Sequence, residues 1–186
     1  SAVKAMQRGE LPDLEHPFAT VAEVNLHAPA LLPSDYVPDV SQRLSFYKAL
    51  AAAEDRASLS GVVEDLADRF GELPEAARLL IETHRLRLQS EALGITRIDA
   101  SKAAILLTVA EKPKFDPLKL IDLMQSRGDM RMAGPSRIKI MQSLPEAAAR
   151  ISLVREILAA LNPAKSEPPA SAKSAAGAAR LKKERK

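Results

Sequence analysis

The chain has 186 residues, no cysteine and a formal net charge of +3, from 27 Lys and Arg against 24 Asp and Glu. This length is enough for one domain with a core of its own, and the lack of cysteine excludes disulfides, thiolate nucleophiles and thiolate metal sites. No apolar run approaches the ~18 residues of a membrane span, and the N-terminus has no apolar signal-peptide segment, so we expect a cytoplasmic protein without a membrane partner.

The chain opens with a segment, residues 1–19, that holds one short helical fragment, Ala2–Arg8, and two prolines. Residues 20–27 then alternate between apolar and polar side chains, which predicts a strand with one buried face. The apolar positions of this strand are Ala22, Val24 and Leu26.

The first predicted helix begins after Asp39, which forms a capping-box pattern with Gln42 three residues later. Its apolar residues Val40, Leu44 and Tyr47 recur at the spacing of one helix face, and Phe46 and Leu50 widen that face. We therefore predict that Leu44 and Tyr47 are buried, so that Leu44→Ala costs about 2–5 kcal/mol of stability.

Two more helices follow. The second runs from about Ser58 to Phe70 and ends at Gly71, and the third runs from near Pro74 to Leu93 and ends at Gly94. The second helix has one apolar face, made by Leu59, Val62, Val63, Leu66 and Phe70.

The spacing then changes to that of strands. Residues 95–98 and 102–109 predict a hairpin around Ala100 and Ser101, and its second strand is apolar on both faces, which is typical of a central strand. A second hairpin is predicted from residues 130–133 and 137–141, with its turn at Gly134 and Pro135.

A fourth helix is predicted between these hairpins, opening at Asp116 and Pro117 and stopping at Gly128. Its residues Leu118, Ile121 and Met124 are predicted to face inwards. The last helix is predicted to begin at a capping box of Ser143 and Glu146. Its apolar positions form a narrow seam of Leu144, Ala147, Ile151, Val154, Leu158 and Leu161.

Residues 162–186 form a tail of different composition. They hold seven Lys and Arg against two Asp and Glu, a net charge of +5, which leaves +3 − 5 = −2 for residues 1–161. Because the tail has too little apolar surface to offset the entropy of ordering, we predict that it is disordered. We predict an α+β fold for residues 20–161: an antiparallel sheet of two hairpins plus an N-terminal strand, packed with about five helices.

Sites of known chemistry are sparse in this sequence. The three histidines, His16, His27 and His84, lie in different elements and lack the spacing of metal ligands. Neither a glycine-rich phosphate loop nor the motif around a nucleophilic serine is present. We therefore predict no enzymatic activity, no metal and no cofactor for this chain.

The second predicted helix carries an acidic group of side chains, Glu64, Asp65 and Asp68, opposite its apolar face. Asp65 and Asp68 are three residues apart, so both carboxylates can face one partner, and an arginine can bind a carboxylate through two hydrogen bonds. Two alternatives stay open: an ordinary solvated face, or neutralisation within the domain by Arg69 or Arg43.

Several motifs in order carry a family resemblance. They are Leu31–Lys48, Asp68-Arg-Phe-Gly71, Leu73-Pro74, Leu93-Gly94-Ile95 and Gly134-Pro-Ser-Arg-Ile-Lys139. Together they resemble the C-terminal domain of bacterial transcription-repair coupling factor over about residues 20–161. Each motif alone is common, whereas their order and spacing together are specific.

The resemblance implies a non-catalytic, autoinhibitory domain that clamps the UvrA-binding module of the same protein until the motor engages stalled RNA polymerase on DNA. In that family, acidic residues just before the Arg-Phe-Gly motif contact arginines of that module. The matching positions here are Asp65 and Asp68. The resemblance also implies that residues 1–19 are a linker from a preceding motor domain, and that ATP and magnesium belong to motor domains absent from this chain.

An alternative function is a nucleic-acid-binding accessory module. Its contacts would come from the basic tail, Arg180–Lys186, and from the second hairpin, where Arg137 and Lys139 share one strand face near Arg131. Such contacts bind phosphates without sequence preference.

Overall fold

The structure is a computed structural model that describes residues 21–162. The predicted linker, residues 1–19, with its helical fragment, and the predicted tail beyond Asn162 lie outside the described residues. In chain order the described elements are β1 (Glu23–Asn25), α1 (Val40–Ala52), α2 (Arg56–Phe70), α3 (Glu75–Leu93), β2 (Ile95–Ala100), β3 (Ile105–Val109), α4 (Pro117–Ser126), β4 (Met130–Met132), β5 (Arg137–Ile140) and α5 (Ala147–Leu161).

The five strands form one sheet in the order β1-β2-β3-β5-β4. All neighbouring pairs are antiparallel except β1 and β2, which are parallel. The predicted α+β class, with two hairpins, an N-terminal strand and five helices, is confirmed, and β3 lies centrally as predicted. The parallel N-terminal strand makes the sheet mixed rather than purely antiparallel.

The turn of the first hairpin lies further along the chain than predicted. Ala100 is still paired with Ile105 inside the sheet, and the turn is closed by the Ser101 N–H, which donates to the Ala104 carbonyl at 2.9 Å. The Ser101 hydroxyl also donates to this carbonyl. Ala100 is fully buried, so a turn there would expose an apolar position of the sheet.

Side-chain caps fix the starts of three helices. The Asp39 carboxylate accepts a hydrogen bond from the Gln42 N–H at 2.7 Å, and that of Asp116 accepts one from the Leu118 N–H at 2.9 Å. At the start of α2, Asp55 and Ser58 cap each other's backbone in both directions. These contacts satisfy N–H groups that have no partner within the helix.

Gly94 ends α3 in the left-handed conformation, with φ 73°. A Cβ at this position would lie 3.1 Å from the Lys114 backbone nitrogen and 3.2 Å from the Pro113 Cα. Glycine is therefore needed here both for the backbone conformation and for the close approach of the segment before α4.

The buried face predicted for α1 is confirmed at Phe46 and Leu50 but is wrong at Val40 and Leu44. Val40 and Leu44 are 59% and 55% exposed, while Phe46 and Leu50 are buried. The helix carries apolar residues on two sides, and both sets recur every four residues, so the spacing does not decide between them. Tyr47 is half-buried, and its hydroxyl accepts a hydrogen bond from the Leu32 N–H at 2.8 Å.

The inward face predicted for α4 is wrong at two of its three residues. Leu118 and Ile121 are exposed, whereas Leu120 and Leu123 pack against the core together with Met124. Like α1, this ten-residue helix has apolar side chains on more than one side. The side that packs is the one that meets the sheet and α5.

The predicted start of α5 at Ser143 is wrong, because the helix begins at Ala147. Pro145 disfavours helical backbone at the residue before it, and the Leu144 N–H instead donates to the Lys102 carbonyl at 2.7 Å. The buried face is also wider than the predicted seam. It comprises Arg150, Ile151, Leu153, Val154, Ile157, Leu158 and Leu161.

The buried apolar residues of the described part of the chain form two clusters. The helical cluster is formed by α1, α2, the segment before α1 and the first part of α3, including Ala77 and Ile81. The sheet cluster is formed by one face of the sheet, α5 and the later part of α3, including Leu86 and Leu93. Helix α3 therefore belongs to both clusters.

Two arginines are buried beside these clusters. The Arg87 guanidinium donates to the Ala53 carbonyl at 2.8 Å, just past the end of α1, and to the Glu91 carboxylate at 3.2 Å. Arg150 donates to the Leu144 carbonyl at 2.8 Å and so holds the segment before α5. Both arginines serve backbone carbonyls that have no partner in a helix or strand.

Candidate functional site

The acidic surface, defined as Glu64, Asp65 and Asp68, lies on α2. Glu64 and Asp68 are exposed and Asp65 is half-buried. On the other side of the helix, Leu59 and Leu66 are fully buried in the helical cluster. The packing of α2 therefore turns the acidic surface towards solvent, as the sequence pattern predicts.

Asp65 has a partner within the domain. The Arg69 Nε donates to the Asp65 carboxylate at 2.8 Å, and both side chains are about half exposed. The Arg69 guanidinium also lies 5.8 Å from the centre of the Phe46 ring. An exposed pair of this kind contributes only about 0.3–0.5 kcal/mol, so a partner arginine can replace Arg69 at little cost.

Asp68 differs from Asp65 in this respect. Among the described residues, its carboxylate has neither an ion pair nor a hydrogen bond. Arg43, the other cation considered from the sequence, donates to the Val37 carbonyl at 2.7 Å and does not contact Asp65 or Asp68. Asp68 is therefore the available carboxylate of the pair.

The Arg-Phe-Gly segment after Asp68 anchors the end of α2. Phe70 makes edge-to-face contacts with Tyr36 and Phe46, with ring centres 5.8 and 5.9 Å apart. The Tyr36 hydroxyl donates to the Gly71 carbonyl at 2.9 Å. Burial raises the pKa of Tyr36 above its ordinary value of 10.0, which further favours the protonated phenol that donates this hydrogen bond. These contacts hold the acidic surface in a fixed orientation.

The structure pairs one histidine with a carboxylate that sequence reasoning missed. The His27 Nε2 lies 2.6 Å from the Asp99 carboxylate. The two residues are 72 positions apart in the sequence, so their pairing depends on the fold. His16 lies outside the described residues. Nowhere in residues 21–162 do three or more potential metal ligands come together.

No helix among these residues has the length and apolar composition needed to cross a bilayer.

His84 on α3 is a half-buried titratable group. Its Nδ1 is buried and has no hydrogen-bond partner in the described part of the chain. Burial, and secondarily the charge of Arg87, lower the pKa of His84 below its ordinary value of 6.5. The protonated ring would place an N–H where no acceptor is available.

We expect the domain to lose stability in mild acid because of His84. With its pKa lowered in the folded state, the unfolded chain binds the proton more readily, so the free energy of unfolding falls as the pH drops below about 6.5. Urea unfolding of wild type and His84→Gln should be compared between about pH 7.5 and about pH 5.5. The variant should show a smaller fall, and an equal fall in both proteins would contradict the assignment.

Comparison with known proteins gives a consistent result. The family described as the TRCF domain matches residues 26–120. The transcription-repair-coupling factor of Escherichia coli (strain K12) is 40% identical over 159 residues, which cover 85% of this chain and 14% of that protein. The protein of the same name from Haemophilus influenzae has the same identity and coverage. The chain thus spans only 14% of the length of these relatives.

A solved structure is similar in fold. It is described as the crystal structure of the C-terminal domain of transcription-repair coupling factor. The match has a TM-score of 0.59 and 19% sequence identity, and it covers 77% of this chain and 95% of that one. It supports the arrangement of helices and strands described above.

Proposed function

The chain belongs to the TRCF domain family, and from this premise we propose that it is a non-catalytic regulatory domain of a transcription-repair coupling factor. In this proposal the domain holds the UvrA-binding module of its parent protein in a closed state, in which the surface that recruits UvrA is hidden. Engagement of the motor with stalled RNA polymerase on DNA releases the clamp. ATP and magnesium act in the motor domains.

The observation that carries the proposal is the exposed Asp68 beside Asp65 on the anchored end of α2. These carboxylates occupy the positions that match the acidic contacts of the family. Residues 21–91, which include the acidic surface, contain 12 Asp and Glu against 7 Lys and Arg, a net charge of −5. Such a field attracts a basic partner surface and orients its approach.

The energetic demand on this clamp is small. The module only has to be bound better in the closed state than in the open one, and about 3 kcal/mol keeps the open state below 1% of the population. Desolvated pairs between carboxylate and arginine supply free energies of this size. A pair between Asp68 and an arginine of the module, together with a contribution from Asp65, is therefore sufficient to keep the clamp closed.

We predict that Asp65→Arg with Asp68→Arg opens the clamp in the full-length parent and raises its affinity for UvrA without RNA polymerase. The expected loss of closed-state contact is about 2–5 kcal/mol, because the substitutions place like charges together at the interface. Asp68→Arg alone should have the larger share, since Asp65 is already neutralised by Arg69. A UvrA pull-down measures the effect.

The matched control is Glu111→Arg with Asp122→Arg, which reverses two exposed carboxylates outside the acidic surface. It should recruit UvrA no better than wild type. Circular dichroism establishes that both variants are folded. If the variant at Asp65 and Asp68 is folded and recruits UvrA no better than its control, the two carboxylates are ordinary solvated residues.

A further inference from the structure

The strand pairing defines an outer sheet face, opposite the face that packs on the sheet cluster. Directly paired residues on neighbouring strands point to the same side of a sheet. The outer face therefore has two rows, Asn25-Asp99-Leu106-Lys139-Arg131 and Glu23-Arg97-Thr108-Arg137. The side chains of both rows are exposed or half-buried.

One half of this outer face is neutralised internally. Arg97 forms ion pairs with Glu23 at 3.0 Å and with Asp99 at 3.8 Å. Asp99 also contacts His27. The β1–β2 side of the sheet thus has its own counter-charges and offers no free cation to a ligand.

The other half carries three exposed cations, Arg131, Arg137 and Lys139, which we call the basic face. Among the described residues, none of the three has an ion pair with a carboxylate. Arg131 and Lys139 are direct cross-strand partners, an arrangement of like charges that destabilises a hairpin unless an anion compensates it. Their neighbours on the face, Leu106 and Thr108, are uncharged.

The part of the chain that contains the basic face also has a positive net charge. Residues 92–162 contain 11 Lys and Arg against 7 Asp and Glu, a net charge of +4. Residues 21–91 carry −5. The charge of the domain is therefore divided between its two parts, and the basic face lies in the positive one.

We propose that the basic face binds the phosphate backbone of duplex DNA without sequence preference. Cations that contact phosphates supply this kind of affinity through counterion release. A folded protein partner would need aromatic or large apolar anchors, whereas the basic face consists of three exposed cations beside a single half-buried leucine, Leu106. A single strand would need aromatic side chains on which its bases stack, and the aromatic side chains of the described residues lie elsewhere. This proposal is independent of the proposed clamp.

The test is the salt dependence of binding of the full chain to a labelled DNA duplex, measured by fluorescence anisotropy. Three phosphate contacts contribute about 2.7 to the slope of log K against log salt, or roughly 40-fold in affinity between 50 and 200 mM salt. Arg131→Gln, Arg137→Gln and Lys139→Gln in one chain should lower the slope by about that amount. Any contribution of the C-terminal tail is the same in wild type and variant.

The matched control removes three exposed cations from the helical part, by Lys48→Gln, Arg56→Gln and Arg78→Gln. Its slope should equal that of wild type. An unchanged slope in the variant of the basic face, or an equal loss in the control, would overturn the proposal. So would tighter binding of a single strand than of a duplex of the same length.

If the triple variant is unfolded by circular dichroism, the single variant Lys139→Gln serves instead. It should lower the slope by about 0.9 relative to wild type. An unchanged slope in this folded single variant would likewise overturn the proposal.

Discussion

Replacing Leu50 by alanine is expected to lower the free energy of unfolding by about 2–5 kcal/mol. Leu50 is fully buried in the helical cluster. The substitution removes apolar contacts and leaves a cavity among residues from α1, α2 and α3, and such cavities relax only in part. Urea unfolding of the two proteins, followed by circular dichroism, measures the difference.

Leu44→Ala on the same helix is the matched control. Leu44 is 55% exposed, so the change should be within about 0.5 kcal/mol. This replaces the loss of 2–5 kcal/mol that the sequence pattern predicts for Leu44. Equal losses at both positions would mean that α1 packs through a different face from the one described.

Replacing Arg87 by alanine should cost about 3 kcal/mol. The substitution leaves the Ala53 carbonyl without its charged donor and removes the cation beside Glu91. The Glu91 carboxylate also accepts the Ala22 N–H at 3.1 Å, so Arg87 links the end of α1 to the segment that enters β1. Thermal and urea unfolding measure the effect, and both the melting temperature and the free energy of unfolding should decrease.

Arg85→Ala provides the comparison for this effect. Arg85 is exposed and pairs with Glu82 one turn away on the same helix, so its loss should change stability by less than about 0.5 kcal/mol. Arg87→Lys should fall between the two, because lysine keeps the charge but lacks the planar guanidinium that reaches both partners. A loss at Arg85 as large as that at Arg87 would show that the buried contacts contribute little.

Helix ends are the part of the fold that short-range patterns predict best. Asp39, Asp116 and Gly94 act where the sequence places them, because caps and left-handed glycines depend on neighbouring residues only. The start of α5 is the exception. There a capping pattern competes with Pro145, and the restriction that proline imposes on Leu144 prevails.

The buried side of a helix is harder to predict when apolar residues occur all around it. In α1 the pairs Val40/Leu44 and Phe46/Leu50 have the same spacing, and only the packing partners in α2 and α3 select the second. The same ambiguity explains the exposed Leu118 of α4. Local sequence contains no information about which neighbour a helix meets.

The acidic surface lies on the side of α2 predicted from helical spacing, since α2 has a single apolar face. The sequence leaves open whether Arg69 or Arg43 neutralises it, and the structure pairs only Arg69 with Asp65. The rows of the outer sheet face depend on strand register between distant segments. A one-residue shift in register would reverse every side chain, so the alignment of Lys139 with Arg131 requires the structure.

The continuity of α3 constrains how the two apolar clusters can move relative to each other. This helix has 19 residues and is therefore about 28 Å long, and its uninterrupted backbone crosses from one apolar cluster into the other. A hinge needs a few loop or terminal residues whose backbone angles can change freely, and the hydrogen-bonded interior of α3 supplies no such residue between the two clusters. The continuous helix therefore couples the two clusters, and we expect a rotation of the sheet cluster to be transmitted along α3 to the helical cluster that holds α2.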